Sequence, residues 1–431
     1  MKNRKTRVAI IIEVKKRELP FLSILQEILV QKGYRVKLIP FRVLCTWRLL
    51  LFRPDIVVVN GLRHEFPYFV SQVFMPKKLF KAKIACYYSE QVGYYDESIA
   101  FTYNNKVIFD NVDYHISWGP RFTDDLLKLG VPKEKLWYIG SLQYDIDTYF
   151  AESSEKIKRR ISDKYGIPCD KKWILYADNI IRNYQPEGLY EIRRADTFNM
   201  IKRVASVNSD CFVVYRPHPE TPAEEINDAI NSFSECSNVI VISEGHIFDW
   251  TCASSALIIW NSTSSLQAMF MGLSVFGFMT SDGKNMENYW YRDIFPTYTD
   301  ANVLADALSK DLRGVYYEGA DEYAQNREEF IKEWYYKKDG FAFDRFCNLI
   351  SVIEKDQFKP LSPGLDYGIS SVIRVLAREL RRFAGNLVHG RINSMRVTKR
   401  EVNNELKKYD ISRFGDKCFD VKDSRRGFYF D

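Results

Sequence analysis

Cys211-Phe212-Val213-Val214-Tyr215 runs directly into Arg216-Pro217-His218-Pro219-Glu220. The apolar run reads as a strand buried on both faces, and it delivers a polar loop to one end of a sheet. The two prolines fix φ and push the residues before them toward extended conformations, so the His218 ring is held on a stiff loop. A second unit of the same layout follows: Ser255-Ala256-Leu257-Ile258-Ile259-Trp260 as a strand, Asn261-Ser262-Thr263-Ser264-Ser265 as a loop, and 266–272 as a helix. Hydroxyls and unpaired N–H groups at a helix start favour phosphate, through the dipole and through free donors. Strand–loop–helix units of this kind build a parallel α/β sheet. Two anion-suited loops at its carboxyl edge point to a nucleotide monophosphate or diphosphate ester. Taken singly, the serines read equally as a helix cap and His218 as a turn residue.

The same rhythm runs through the N-terminal half. Residues 8–12 read as a first buried strand, 19–33 as a helix closed by Gly33, and 34–39 as a second strand; 55–59, 82–88 and 114–118 supply three more. A short helix over 123–130 and the run 132–140 complete that sheet. The charged run 152–164, with Pro168, reads as a linker into a second α/β unit that opens at Trp173-Ile174-Leu175-Tyr176-Ala177. The expected organisation is therefore one Rossmann-like α/β domain over 1–160, a second one carrying the two anion-suited loops over 170–357, and a tail over 358–431.

Composition bounds the class. With 431 residues, 46% hydrophobic and 15% aromatic, the chain is too apolar for disorder and long enough for two cores. No run approaches the roughly 20 apolar residues of a membrane span. The basic start is followed by an apolar run, 8–12, that is too short for a signal peptide and meets Glu13, so the expected location is cytoplasmic. Cysteines at 45, 86, 169, 211, 236, 252, 347 and 418 form no C-x-x-C pair, and they read as reduced residues without a zinc site or a disulfide framework.

Charge is concentrated at the end of the chain. Residues 366–431 hold 15 Lys/Arg against 9 Asp/Glu, a net +6 that equals the excess of the whole protein. Ile369, Ile373, Leu376, Leu380, Phe383 and Leu387 recur at helical spacing, while Arg374, Arg378, Arg381 and Arg382 gather elsewhere around the same helix. Such a basic amphipathic helix suits either the inner face of an anionic membrane or packing on another domain or subunit. No nucleic-acid-binding motif accompanies the charge, and no nucleic-acid partner is expected.

Arg-Pro-His-Pro-Glu followed by Asn-Ser-Thr-Ser-Ser and an apolar helix ending in Gly resembles the nucleotide-binding half of the GT-B glycosyltransferases that build bacterial surface polysaccharides. The most similar groups hold the CMP of a CMP-activated sugar with a His-Pro motif and a downstream Ser/Thr pair, namely bacterial sialyltransferases and capsule-type Kdo transferases. The CDP-glycerol glycerophosphotransferases share the layout, and so, more distantly, do the UDP-GlcNAc 2-epimerases. As architecture the resemblance spans residues 6–354, and its specific part is the two motifs. It implies two Rossmann-type domains with parallel sheets facing a cleft, a nucleotide-sugar donor held by Arg216, His218, Pro219, Asn261, Ser262, Thr263, Ser264 and Ser265, and a saccharide or lipid-linked saccharide acceptor of capsule or lipopolysaccharide type. In that arrangement Arg216 and His218 stabilise the phosphate leaving group electrostatically, and no metal or other cofactor is required.

Glu90, in Ser89-Glu90-Gln91-Val92-Gly93 past the fourth strand, is the candidate base for an acceptor hydroxyl, with Glu13 after the first strand as the alternative. It resembles the acidic motif before a Gly in the CMP-sugar transferases, from which Gln91 and Val92 depart. Asp145-Ile146-Asp147 has the spacing of a metal-binding carboxylate pair, but its place before a helix-like segment makes capping the better reading. Glu220 caps the next helix or orients His218. Residues 178–183 and 284–288 are further candidates near the donor, and His115 and His246 read as structural. The leading reading is a metal-independent glycosyltransferase with a CMP-sugar donor. The alternatives are a CDP-polyol phosphotransferase, a UDP-sugar 2-epimerase, and a non-catalytic nucleotide- or carbohydrate-binding partner of a glycan assembly complex.

Overall fold

The computed structural model describes residues 4–62, 66–89, 91, 105–151, 154–180, 182, 188–281, 291–317, 319–365, 368–389, 396–409 and 411–414. The chain divides into two units, Met1–Ile146 with Ile331–Asp431, and Asp147–Phe330.

In the first unit β1 (Arg7–Ile12), β2 (Arg35–Pro40), β3 (Ile56–Asn60), β4 (Lys83–Tyr87), β5 (Tyr114–Ser117) and β6 (Leu136–Tyr138) form a parallel sheet in the order β2-β1-β3-β4-β5-β6. Strands such as Ile56-Val57-Val58-Val59 are continuously apolar because helices cover both faces of such a sheet, so no residue along them faces water. The order reverses between β1 and β3. That makes the carboxyl ends of these two strands the expected position of a site.

The second unit carries β7 (Trp173–Ala177), β8 (Phe212–Arg216), β9 (Val239–Val241), β10 (Ala256–Ile259), β11 (Ser274–Phe278) and β12 (Thr297–Tyr298), all parallel in the order β12-β11-β10-β7-β8-β9. Renumbered from its own first strand this is 3-2-1-4-5-6 read from the other edge, the Rossmann order, with its reversal between β7 and β10. Two parallel six-stranded sheets flanked by helices give the chain a GT-B-like α/β fold.

Three boundaries differ from the sequence expectation. The charged run read as a linker is the helix Ser154–Tyr165, which buries Ile157 and Ile161 in the second unit and pairs Arg160 with Asp249 at 2.8 Å. Alternating charge hid a one-sided apolar stripe. At the other end, the chain returns to the first unit at residue 331 rather than leaving the second at 357. The helix Ala342–Lys355 packs there through Phe343, Phe346 and Ile350, with Arg345 donating to the carbonyl of Ile139 at 2.6 Å and forking onto Asp339 at 2.9 Å.

The tail, expected over 358–431 as a separate element, also folds onto the first unit. Val372 and Val375 of the helix Ile369–Val388 pack on its core, and Glu379 accepts from Thr46. Lys15 pairs with Glu401 at 2.6 Å beside the helix Lys399–Leu406. Gly119, at the start of the helix Pro120–Lys128, lies against the backbone of Trp334, where a Cβ would meet the carbonyl carbon at 2.5 Å. Only a glycine fits that approach.

Candidate functional site

Arg216 is the last residue of β8, not the first of the loop. Its side chain is 6% exposed, its two terminal nitrogens donate to the carbonyls of Glu244 and Gly245, and the guanidinium lies over the Trp250 ring at 5.8 Å. Burial pulls its pKa down to about 10. The guanidinium, expected to face a donor phosphate, clamps the 244–245 turn from within. The two buried carbonyls are thereby satisfied.

His218 stands differently. Its ring is half-buried, and Nδ1 accepts the backbone N–H of Glu220 at 3.2 Å. An acceptor at Nδ1 puts the neutral ring's proton on Nε2. Burial lowers its pKa, so at neutral pH the ring is an uncharged Nε2–H donor of fixed orientation. Glu220 orients the ring through its backbone N–H. Pro219 and Glu220 are exposed at the tip of the loop.

After β10, Asn261 and Ser262 precede the helix Ser264–Phe270, which begins two residues earlier than the apolar pattern suggests. The Ser262 and Ser264 hydroxyls share a hydrogen bond at 2.5 Å. Ser265, expected at the ligand, is fully buried and donates to the Ser262 carbonyl at 2.7 Å, so its hydroxyl is internal to the turn. Thr263 is exposed, and Ser264 half-exposed.

β7 lies between β8 and β10, so the two loops are separated by two strand spacings, about 10 Å. The end of β7 ties them together. Asp178 accepts the Tyr215 hydroxyl and donates its N–H to the Arg216 carbonyl at 2.9 Å, while the Asn179 amide donates to the Asn261 carbonyl. Desolvation raises Asp178 to about 6. Beneath the His218 loop lies a small concavity lined by Asp178, Tyr190, Arg194, Tyr215, Pro217 and Glu225. Arg182 is spent on Glu191 and Glu225, at 2.7 and 3.1 Å.

In the first unit, Glu90 lies outside the described residues, as do residues 284–288 of the second. Its neighbours are placed. Ser89 donates to the Asn60 side-chain oxygen at 2.7 Å, the Asn60 amide donates to Glu18 at 2.6 Å, and Glu18 also accepts the N–H of Glu13 at 2.8 Å. This chain joins the carboxyl ends of β1, β3 and β4 at the reversal of strand order. Glu18 is 1% exposed, and desolvation raises it to about 7. Sequence reasoning missed it because a lone Glu in Lys15-Lys16-Arg17-Glu18-Leu19 reads as the solvated face of a helix; its only signal was its place just after the first strand. Gln91 is buried, donating to the Tyr88 carbonyl and accepting the Trp118 N–H at 3.0 Å.

Asp145 caps a helix, though a distant one: its carboxylate accepts the N–H groups of Ala342 at 2.6 Å and Phe343 at 3.2 Å, and burial raises it to about 7. Its Oδ2 is committed to that helix start. No group of three or more metal-ligating side chains occurs among the described residues. His115 is buried against the Tyr88 hydroxyl at 2.8 Å and pushed down to about 3, and His246 caps the helix Ile247–Ala253.

Comparison with known proteins adds to this geometry. A family model, CDP-Glycerol:Poly(glycerophosphate) glycerophosphotransferase, matches residues 106–262, a segment that contains the whole Arg216–Glu220 motif and ends within the loop after β10. No curated protein matches the chain in sequence. Among solved structures, UDP-GlcNAc 2-epimerase from Neisseria meningitidis bound to UDP-GlcNAc superposes at a TM-score of 0.56 with 13% identity, covering 81% of this chain and 99% of that one. S. aureus MnaA with UDP gives 0.56 and 17%, covering 84% and 100%. A variant of the wall teichoic acid polymerase TagF gives 0.56 and 17%, covering 81% and 89%. At such identities the likeness is one of fold.

Proposed function

We propose that the chain is a transferase of surface-polymer biosynthesis that takes a cytidine-nucleotide donor, with a CDP-linked polyol phosphate favoured over a CMP-sugar. The observation that carries this reading is His218, a neutral Nε2–H donor fixed by a backbone N–H, inside the segment matched by the glycerophosphotransferase family. A TagF structure soaked with CDPG has the same fold at a TM-score of 0.54, which supports the same donor class.

In the proposed reaction an acceptor hydroxyl attacks the distal phosphorus of the donor pyrophosphate. The P–O bond to the inner phosphate breaks, and CMP leaves. His218 donates from Nε2 to an oxygen of the leaving phosphate, where charge builds up. The Thr263 and Ser264 hydroxyls, on the loop about 10 Å along the sheet edge, hold the other end of the donor pyrophosphate ester. Glu90 remains the proposed base for the acceptor hydroxyl, and no metal is assigned to the step.

Incubation with CDP-glycerol and, separately, with a CMP-sugar distinguishes the two donors. Release of CMP from CDP-glycerol on addition of a polyol-phosphate acceptor supports the proposal. Turnover of the CMP-sugar alone would return the reading to a glycosyltransferase, and binding without turnover of either would make the chain a nucleotide-binding partner.

On the acceptor side, the exposed line Ile369, Ile373, Leu380 and Leu387, flanked by Arg374 and Arg381, supports peripheral contact with an anionic bilayer that presents the growing polymer.

A further inference from the structure

A second basic feature lies on the opposite side of the helix Ile369–Val388 from that apolar line. Arg378, Glu379 and Arg382 meet Arg42, Tyr68 and Ser71 around an open concavity. Ser71 belongs to the π-helical turn Val70–Phe74, a backbone form that concentrates at functional positions. The Ser71 hydroxyl donates to the carbonyls of Pro67 and Tyr68, and the Tyr68 ring is braced edge-on by Phe41 at 4.0 Å.

The charges do not balance. Three guanidiniums face one carboxylate, and that carboxylate is used elsewhere: Glu379 accepts the Thr46 N–H at 3.0 and 3.1 Å and the Thr46 hydroxyl at 2.7 Å, capping the helix Cys45–Phe52. Arg382 reaches the Tyr68 hydroxyl at 3.5 Å, and Arg42 and Arg378 have no ion-pair partner among the described residues. Like charges converging on one concavity repel, and an anion bound among them relieves that repulsion. Guanidinium forks match the oxygens of a phosphate group two at a time, and a tyrosine hydroxyl adds a neutral donor.

We propose that the Arg42, Arg378 and Arg382 concavity is a binding site for a phosphodiester anion, separate from the nucleotide loops of the second unit. The site does not depend on the donor reading above.

Two probes test it on the full chain at low salt: soluble glycerophosphoglycerol, and vesicles of phosphatidylglycerol compared with phosphatidylcholine. The variants are the double substitution Arg378→Ala with Arg382→Ala, and Lys133→Ala as a control at an exposed cation of the same unit outside the concavity. The site is expected to bind at least one phosphodiester probe, the double variant to bind it at least about tenfold more weakly, and the control to match wild type. Saturation by the soluble diester identifies a free phosphodiester chain as the ligand. A response to phosphatidylglycerol vesicles alone identifies a bilayer headgroup. Nucleotide affinity should be the same in all three proteins, so failure here is distinguishable from failure of the donor reading. Equal binding by the double variant and wild type, or no binding of either probe by wild type, overturns the proposal.

Discussion

The backbone N–H of Glu220 points at Nδ1 of His218 from 3.2 Å, and this one contact decides which nitrogen of the ring carries the proton. If His218 acts through Nε2–H, the Glu220 N–H matters and the Glu220 carboxylate does not. Glu220→Gln is expected to retain turnover. Glu220→Pro, which deletes the N–H, should lower it about tenfold, and His218→Ala by about a hundredfold or more, with the fold intact by circular dichroism. Unchanged turnover in a folded His218→Ala protein would remove His218 from the mechanism.

Ser264 and Ser265 are expected to separate binding from stability. Ser264→Ala should weaken nucleotide affinity by the roughly 0.5–1.5 kcal/mol of a hydrogen bond. Ser265→Ala should leave affinity unchanged and lower stability by a similar amount, because its hydroxyl is buried on the Ser262 carbonyl. Calorimetric titration and urea unfolding of the two proteins check the division.

Glu18 makes stability depend on pH. Its ordinary value of 4.5 rises to about 7 in the folded protein, so below pH 4.5 both states hold the proton and nothing is lost. Between pH 4.5 and 7 the unfolded chain releases its proton first, and stability falls as pH rises. The fall attributable to Glu18 is on the order of 3 kcal/mol. Asp145 and Asp178 shift in the same direction, so the informative quantity is a difference: unfolding free energies of Glu18→Gln should fall less steeply than wild type across this window. Parallel pH profiles would show that Glu18 carries no such penalty.

The strands of both sheets were legible because parallel strands covered on both faces are continuously apolar, and Val57-Val58-Val59 or Ala256-Leu257-Ile258-Ile259 admit few other readings. The loops after β8 and β10 followed from where those strands end. The use of each side chain did not. Arg216 and His218 are two residues apart in one motif, yet Arg216 turns inward to two carbonyls while His218 stays at the surface, and spacing carries no information about that choice. Ser265 hides behind Ser264 for the same reason. The helix Ser154–Tyr165 looked like a linker because Ile157 and Ile161 alone mark its buried side, and Glu18 looked solvated because the Asn60 partner that buries it lies 42 residues away.

The central claim is that the loops after β8 and β10 bind a cytidine diphosphate. Thermal unfolding of wild type with CDP, CMP, UDP and GDP, each well above its expected dissociation constant, tests it directly, since a ligand at 100 times that constant stabilises by about 2.7 kcal/mol. The largest rise in midpoint is expected with CDP, a smaller rise with CMP, and loss of the CDP response in a Thr263→Ala, Ser264→Ala double variant. A larger rise with UDP or GDP, or no rise with any of the four, would contradict it.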